Sequence, residues 1–470
     1  MFNYHVEDGK ILEKENESLE FKSALKGIPS STWETYSAFA NSFGGTILLG
    51  VQDRTGTVEG VPHAELRVQE LWNTLNNPQV VNVNLLRNED ITTFDCDGVQ
   101  IIAITVPRAD RYLRPVYYKR METGTFKRNG EGDFRCNMPE IASLLRDQCS
   151  NSYDSTVLEN TSFEDIDRDT LQAYRNEMRS VHPDHLWNTA EDKDFARKIG
   201  AMGHATSMLT VAGLLMFGKE EVITAYFPRF KLDYLECPVG NTTWNYRRVT
   251  GDGLWVGNIY NFFTNVRGRI NADVENPPDV GLDMHRIAYT DTHKAIRECL
   301  INCLVHADYL GSLGVKIEIH PRSIALTNPG LFRIPVEIAE KGGESDPRNA
   351  VIARMFSLIG MSERAGIGIN YLFETWRKQY GHAPDIKEDT RTQRTSVELE
   401  LGTVVEYDET DRLILETLMN DPTASMGSIS MRIGVSRPTV AIRIKSLKSR
   451  GILRRIGGTR GYWECEYRSV

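Results

Sequence analysis

A long basic segment near the end of the sequence places the strongest constraint on what this chain can fold into. From Pro422 to Trp463 there is no Asp or Glu, whereas nine Lys and Arg residues occur. The whole chain has a net charge of −9, so the rest of it carries about −18. A basic module on an acidic body is typical of a domain that binds phosphates. A solvated basic helix face is an alternative that charge alone leaves open.

The apolar pattern of the same region predicts a helix-turn-helix followed by a two-stranded wing. Ser436 is a suitable cap for the second helix, which would be the recognition helix. The predicted helices cover Thr410–Met419, Ile429–Ile433 and Pro438–Arg450, and the wing strands cover Ile452–Arg455 and Tyr462–Cys465.

The N-terminal part of a recognition helix and the wing are the parts of such a fold that meet DNA. The residues predicted to bind DNA are Arg437, Thr439, Arg443 and Lys445 on the helix and Arg454, Arg455 and Arg460 on the wing. A dimerisation or protein-docking module without DNA contacts is the alternative.

Apolar patterning near the start predicts an α+β domain over residues 1–150. Ser31 and Glu34 have capping-box spacing and begin a helix. The continuous apolar run Thr46–Val51 predicts a buried strand, and turn residues lead from it into a second strand over Thr57–Val61. Further strands are predicted over Gln100–Val106 and Gly124–Arg128.

A helix over residues 294–308 carries a carboxylate and an amide one turn apart, Glu298 and Asn302. An Asn oxygen can complete the coordination of a phosphate-bound Mg²⁺, and a Glu can orient a water toward the terminal phosphate. Gly366 and Gly368 precede another helical pattern and would let backbone N–H groups approach phosphates. An ordinary amphipathic helix with a solvated Glu298 is the alternative.

Cysteine usage and hydropathy indicate a cytoplasmic protein without a membrane segment. The seven cysteines are scattered without paired spacing. The longest apolar stretch, Leu209–Phe217, is far shorter than the ~20 residues that a membrane span needs. Cys299 and Cys303 share a helix with His293 and His306, but both cysteines lie on its apolar face, which predicts packing rather than zinc binding.

Four motifs resemble the GHKL-type ATPase domain of bacterial regulators labelled RecG-related: HKAIRECLINCLVHADY, IEIHPRSIALTNPGLF, DPRN and SERAGIGI. The resemblance covers about residues 205–402 and implies an α/β sandwich that binds ATP with Mg²⁺. It places Glu298 and Asn302 in the Mg-ATP motif. Gly366 and Gly368 would form the phosphate loop, and Asn328 and Gly330 stand where the family usually carries an Asp-x-Gly-x-Gly element that reads adenine. No G-x-x-x-x-G-K-[ST] loop occurs, which argues against a helicase motor.

Near the start, ESLEFKSAL, SAFANSFGGTILLGVQD and VEGV resemble the Schlafen AlbA-type domain over residues 10–135. In Schlafen nucleases, acids around the EFK element and after the GV strand hold a divalent metal for phosphodiester cleavage. Carboxylates that meet at one point repel one another unless a cation lies between them. The residues that correspond to these acids are Glu20, Asp53 and either Glu15 or Glu17, and Lys22 would lie beside a phosphate. A surface salt bridge from Glu20 to Lys22 or Lys26 is the alternative to metal binding.

The sequence therefore predicts an α+β multidomain protein with a Schlafen AlbA-type domain (1–150), a helical connector (151–204), a GHKL-like domain (205–404) and a winged helix-turn-helix (405–470). The predicted function is a DNA-binding transcriptional regulator that responds to a nucleotide. A metal-dependent nuclease acting on RNA or DNA is the alternative, so enzymatic activity stays open between that and a weak ATPase. DNA is the predicted partner, RNA is a second one, and a homodimer or higher homo-oligomer is expected.

Overall fold

The computed structural model describes the chain except for residues 1–3, 97, 238–243, 275–284, 321, 362–367, 402–408, 450–452, 457–460 and 466–470. The chain packs as two compact units. The first comprises Met1–Asp279 and Ala288–Glu400, and the second comprises Val280–Ile287 and Leu401–Val470. Helices accompany sheets in both, which confirms the predicted α+β multidomain class.

The N-terminal part of the first unit is built on a four-stranded sheet. Its strands and helices are β1 (Val6–Glu7), β2 (Lys10–Ile11), β3 (Leu19–Lys22), α1 (Ser31–Asn41), β4 (Gly45–Leu49), α2 (Ala64–Leu75), β5 (Ile91–Cys96), β6 (Val99–Val106), α3 (Met121–Gly124), β7 (Phe126–Asn129), β8 (Gly132–Arg135) and α4 (Met138–Gln148). The sheet order is β3-β4-β6-β5, with β3 parallel to β4 and the other pairs antiparallel.

Both faces of this sheet are covered, which explains the continuous apolar run of β4. Ile47 and Leu49 pack into one core cluster with Phe39 of α1. Leu48, which points to the opposite face, packs into a second cluster with Phe21 of β3. A strand buried on both faces needs apolar residues at every position.

The second strand predicted after β4 is not a regular strand. Within Thr57–Val61 the backbone makes isolated bridges at Thr57 and Val58. Gly56 and Gly60 have φ values of +67° and +79°, so left-handed backbone on both sides interrupts the extended conformation.

A helical region follows, with α5 (Arg168–Val181), α6 (Asp192–Ile199), α7 (Val211–Phe217) and α8 (Glu220–Tyr226). A short 3-10 turn at Phe163–Asp165 precedes α5. Every residue of α7 is buried, so the longest apolar stretch of the sequence forms a core helix. Among the described residues, no helix is both long and apolar enough to cross a membrane.

The rest of the first unit contains a six-stranded sheet in the order β10-β9-β11-β12-β14-β13. Strands β9 and β11 are parallel, and the other neighbours are antiparallel. Ile317, Leu326 and Leu399 alternate with less buried residues, as expected for strands with one face toward the core. The elements are β9 (Leu232–Glu236), β10 (Tyr246–Val249), α9 (Ile259–Val274), α10 (His285–Val305), β11 (Val315–His320), β12 (Ser323–Pro329), α11 (Val336–Lys341), α12 (Ala350–Leu358), α13 (Gly368–Tyr380), β13 (Asp385–Asp389) and β14 (Arg394–Glu400).

The second unit has the predicted helix-turn-helix and wing. Its elements are α14 (Glu409–Asn420), α15 (Met426–Ile433), α16 (Arg437–Ser449), β15 (Leu453–Ile456) and β16 (Tyr462–Cys465). Ser425 caps α15 by accepting a hydrogen bond from the Ser428 N–H at 3.1 Å, and Gly434 ends it with φ +69°. One core cluster joins the helices and the wing, with Ile414, Val440 and Trp463 among its members.

Candidate functional site

A cavity of about 590 Å³ lies in the first unit, where α10, α12 and the start of α13 meet residues 332–347. Glu298 and Asn302 of α10 and Gly368 of α13 line it together. A Cβ at position 368 would collide with the Glu298 side chain as it is placed here, so the glycine leaves the room that this carboxylate occupies. The structure therefore brings together three of the residues predicted to bind a nucleotide.

The side-chain amide of Asn302 is a polar group of this cavity that could bind a ligand. Its Nδ2 atom is buried, and it has no hydrogen-bond partner within the part of the chain that the structure describes. A buried amide donor without a partner costs roughly 1–3 kcal/mol. A polar ligand in the cavity would remove this cost.

Two other predicted nucleotide-binding residues lie elsewhere. Asn328 is buried at the end of β12, and its Nδ2 donates to the Pro329 carbonyl at 3.0 Å. Gly330 has φ +99°, and a Cβ there would lie 3.0 Å from Nη2 of Arg348. Neither residue lines the cavity. Gly366 lies outside the described residues.

Sequence reasoning did not anticipate the contribution of His306 to the cavity. Burial, together with the nearby Arg348 and Arg333, lowers the pKa of His306 to about 4. The imidazole is therefore neutral at physiological pH and offers one donor and one acceptor. In the sequence, His306 follows Asn302 by four residues on the predicted helix, which places both residues on the same helix face.

Beside the cavity, Asp147 at the end of α4 forms ion pairs with two arginines. The Asp147 carboxylate lies 2.8 Å from Nη2 of Arg333 and also pairs with Arg348. Burial raises the pKa of Asp147, but the two guanidinium groups outweigh it and lower the pKa to about 2. Because Arg333 lines the cavity, this carboxylate links the N-terminal domain to the cavity wall.

Further contacts join α4 and its surroundings to the same region. Arg146 pairs with Asp308 at 2.9 Å, and the Ser143 hydroxyl donates to the same carboxylate at 3.0 Å. Arg111 pairs with Asp346, another cavity residue. These contacts connect the cavity wall and its surroundings to the N-terminal domain.

In the N-terminal domain, the buried Glu20 is held between two cations. One of its carboxylate oxygens accepts a hydrogen bond from Lys22, and the other lies 2.8 Å from Nη2 of Arg128. Arg128 also binds Asp133 at 2.9 Å. Burial raises the pKa of Glu20, although Lys22 and Arg128 oppose this. The salt bridge with Lys22 weighed as an alternative is present, in a buried rather than a surface setting.

Of the other acids of the predicted metal site, Glu15 lies close to the exposed Asp53. Glu15 accepts hydrogen bonds from the backbone N–H groups of Phe21 at 2.9 Å and Arg54 at 3.2 Å. The pKa of Asp53 is raised, chiefly by loss of hydration and also by the nearby Glu15 carboxylate, although Lys22 opposes the shift. Glu17 is exposed. Among the described residues, these acids do not form a group of three with oxygens within 4.8 Å of one another.

The recognition helix α16 begins at Arg437, and its first turn contains no acidic residue. Arg437 and Lys445 are exposed, whereas Thr439 lies close to Ser436, with 2.8 Å between the two hydroxyls. The Arg443 guanidinium lies 4.0 Å from the buried carboxylate of Asp411, which partly neutralises its positive charge. Among the four predicted DNA-binding residues of α16, Arg437 and Lys445 are consequently the most available to phosphates.

On the wing, the guanidinium of Arg455 stacks over the Trp463 ring, 4.7 Å from its centroid. Such stacking fixes the direction of the side chain and leaves its charge intact. The Arg454 side chain and Arg460 lie outside the described part of the structure.

Four protein-family models match separate segments of the chain. Schlafen, AlbA_2 matches residues 15–137, and Winged helix-turn-helix DNA-binding matches residues 407–454. Putative ATP-dependent DNA helicase recG C-terminal matches residues 313–398. The predicted architecture is confirmed. A domain of unknown function, DUF8451, matches residues 142–233 between the AlbA_2 and recG C-terminal segments.

The chain is also similar to two solved structures. The DIP2311 protein from Corynebacterium diphtheriae is 17% identical over 98% of this chain and 81% of that chain, with a TM-score of 0.41. The N-terminal domain of a putative ATP-dependent DNA helicase RecG-related protein from Nitrosomonas europaea is 29% identical over 26% of this chain and 83% of that chain, with a TM-score of 0.20. No curated protein matches the sequence.

Proposed function

We propose that this protein is a DNA-binding transcriptional regulator, acting as a homodimer or higher homo-oligomer. The observation that carries the proposal is the winged helix-turn-helix whose recognition helix exposes Arg437 and Lys445 in a segment free of acids. Because the rest of the chain is acidic, attraction to DNA is concentrated in this module. Duplex DNA binding by the full chain, measured beside a variant without these two charges, tests the proposal.

The second part of the proposal is that the central cavity binds ATP with Mg²⁺ and that this changes DNA binding. The volume of about 590 Å³ lies in the usual range of small-molecule sites. Asn302 and Glu298 fit the ligand chemistry of a phosphate-bound Mg²⁺, since both offer hard oxygen atoms. The pair of Arg111 with Asp346 gives a physical connection from the cavity to the AlbA_2 segment. Asp147, which follows that segment, pairs with Arg333 of the cavity wall.

Substitution of Asn302 tests the nucleotide proposal. We expect Asn302→Ala to weaken Mg-ATP binding at least tenfold, because a charge-assisted contact at a cation-phosphate site contributes about 1.5–3 kcal/mol. Isothermal titration of the full chain with ATP in the presence of Mg²⁺ measures the change.

Asn328→Ala is the matched control, since Asn328 is a buried amide outside the cavity. Its affinity for Mg-ATP should stay within about threefold of the parent. The opposite ranking of the two variants would show that the nucleotide lies at the end of β12. Duplex affinity that does not respond to saturating ATP or ADP would contradict the coupling.

A metal-dependent nuclease is the second candidate, favoured by the AlbA_2 match and by the proximity of Glu15, Asp53 and Lys22. A metal bound by Glu20 would have to compete with Lys22 and Arg128. Glu20 itself is a poor test residue, because its removal takes a buried anion away from Lys22 and leaves Arg128 with Asp133 alone.

Asp53→Asn separates the two candidates without disturbing the core, since Asp53 is exposed. If the domain is a nuclease, cleavage of labelled RNA, single-stranded DNA or duplex DNA with Mn²⁺ or Mg²⁺ should fall at least 100-fold in this variant, because loss of a metal ligand removes the activating ion. The control is Glu65→Gln, which removes an exposed acid of α2 outside the predicted metal site. No cleavage by the parent protein with any of the three substrates would remove this candidate.

A further inference from the structure

A thiol, a carboxylate and an imidazole meet at one end of the six-stranded sheet, away from the residues that line the cavity. Strands β9 and β11 run parallel, and their last register pair joins Glu236 to Ile319. The next residue on each strand is Cys237 and His320, and the Cys237 N–H donates to the Ile319 carbonyl at 2.8 Å. Backbone pairing thus holds Cys237 beside His320.

The alternation of a strand adds the third group. Glu318 and His320 are two positions apart on β11, so both project from the same face. The buried Val315 and Ile317 alternate with them. The Cys237 Sγ, a Glu318 oxygen and a His320 ring nitrogen all lie within 4.8 Å of one another.

These distances and atom types fit a metal ion. Four tetrahedral ligands around Zn²⁺ with bonds of about 2.0–2.3 Å lie roughly 3.3–3.8 Å apart, so small side-chain rotations would complete the geometry. Thiolate and imidazole favour zinc or a similar transition metal over Mg²⁺ and Ca²⁺. All three side chains are half-buried, which leaves a path for the ion and a place for a fourth ligand.

We propose that Cys237, Glu318 and His320 bind one Zn²⁺ ion, with a water molecule in the fourth position. This site differs from Cys299 and Cys303 of α10, which are buried cysteines. Because its ligands come from two strands, the ion would fix the ends of β9 and β11 relative to each other.

Lys316 supplies the competing explanation for the position of Glu318. Its Nζ lies 2.7 Å from Glu318 Oε1, and the pair could simply be a polar contact on the sheet. An ammonium group and a metal ion compete for the same carboxylate. If the cluster binds a metal ion, removal of the lysine charge should therefore strengthen metal binding. If the pair is only a polar contact, the same change should leave metal binding unaltered.

Cobalt binding to the full chain tests the site. Titration with Co²⁺ should produce a thiolate-to-cobalt absorption band in the near ultraviolet that saturates at one ion per chain and disappears on addition of Zn²⁺. The band should be absent in Cys237→Ser and retained in Cys149→Ser, which removes an exposed cysteine from outside the site. A titration without the band, or a band that survives in Cys237→Ser, would overturn the proposal.

Affinity measurements make the test independent of the thiolate signal. In competition with a chromophoric chelator, His320→Ala should weaken Zn²⁺ binding at least tenfold, and Lys316→Met should strengthen it severalfold. Circular dichroism of each variant shows whether it is folded. Folded variants with Zn²⁺ affinities equal to the parent would overturn the proposal and leave Glu318 as the ion-pair partner of Lys316.

Discussion

The double variant Arg437→Ala/Lys445→Ala is expected to bind duplex DNA about 100-fold more weakly than the parent protein. Each side chain is exposed on the recognition helix, and a specific base or phosphate contact contributes roughly 1–3 kcal/mol. Two contacts of about 1.4 kcal/mol give a factor of 100. Fluorescence anisotropy of a labelled duplex at fixed salt measures the difference.

Lys387→Ala is the matched control, because this exposed lysine of β13 lies in the first unit. It should leave duplex affinity almost unchanged. The double variant should also show a shallower dependence of affinity on salt, since fewer counterions are released on binding. Equal losses in the control and in the double variant would indicate a nonspecific charge effect and contradict the assignment of α16.

The substitution Asp147→Asn is expected to lower the free energy of unfolding of the first unit by about 3–5 kcal/mol. It removes the negative charge that compensates two largely buried guanidinium groups, Arg333 and Arg348. Chemical denaturation followed by tryptophan fluorescence measures the loss. The control is Asp385→Asn, which breaks an exposed pair with Lys387 and should cost less than about 1 kcal/mol.

The effect of Asp147 should depend on pH in a defined direction. Its pKa falls from the ordinary 3.8 to about 2 in the folded protein, so the stabilisation is fully present above about pH 4. It is lost as the pH falls through about 2, where the folded carboxylate takes up its proton. The stability difference between the parent and Asp147→Asn should therefore shrink over this range. A difference that stays constant would assign the effect to packing.

Local patterns in the sequence were sufficient to predict several elements. The continuous apolar run Thr46–Val51 predicted the buried strand β4, and Ser436 marked the start of α16 as its cap. The spacing of Ser31 and Glu34 located the start of α1, although Ser30 stands at the cap position and makes no side-chain cap hydrogen bond. These signals act over a few residues, so no knowledge of the tertiary fold is needed. The wing was predictable for the same reason.

Contacts between distant parts of the chain could not be predicted in this way. The partners of Asp147 lie 186 and 201 residues away, and Arg128 is separated from Glu20 by more than 100 residues. The family resemblance grouped Asn328 with the nucleotide site, whereas the fold places it outside the cavity. Non-local pairing determines which charges are neutralised and which face a ligand.

Selection of duplexes from a random pool by the full chain tests the central claim most directly. The proposed regulator should enrich a short common sequence, with two related half-sites if it binds as a dimer. Arg437→Ala/Lys445→Ala should not enrich that sequence under the same conditions. Enrichment of no sequence by the parent protein, with only weak binding that is equal for all duplexes, would contradict a function in transcriptional regulation.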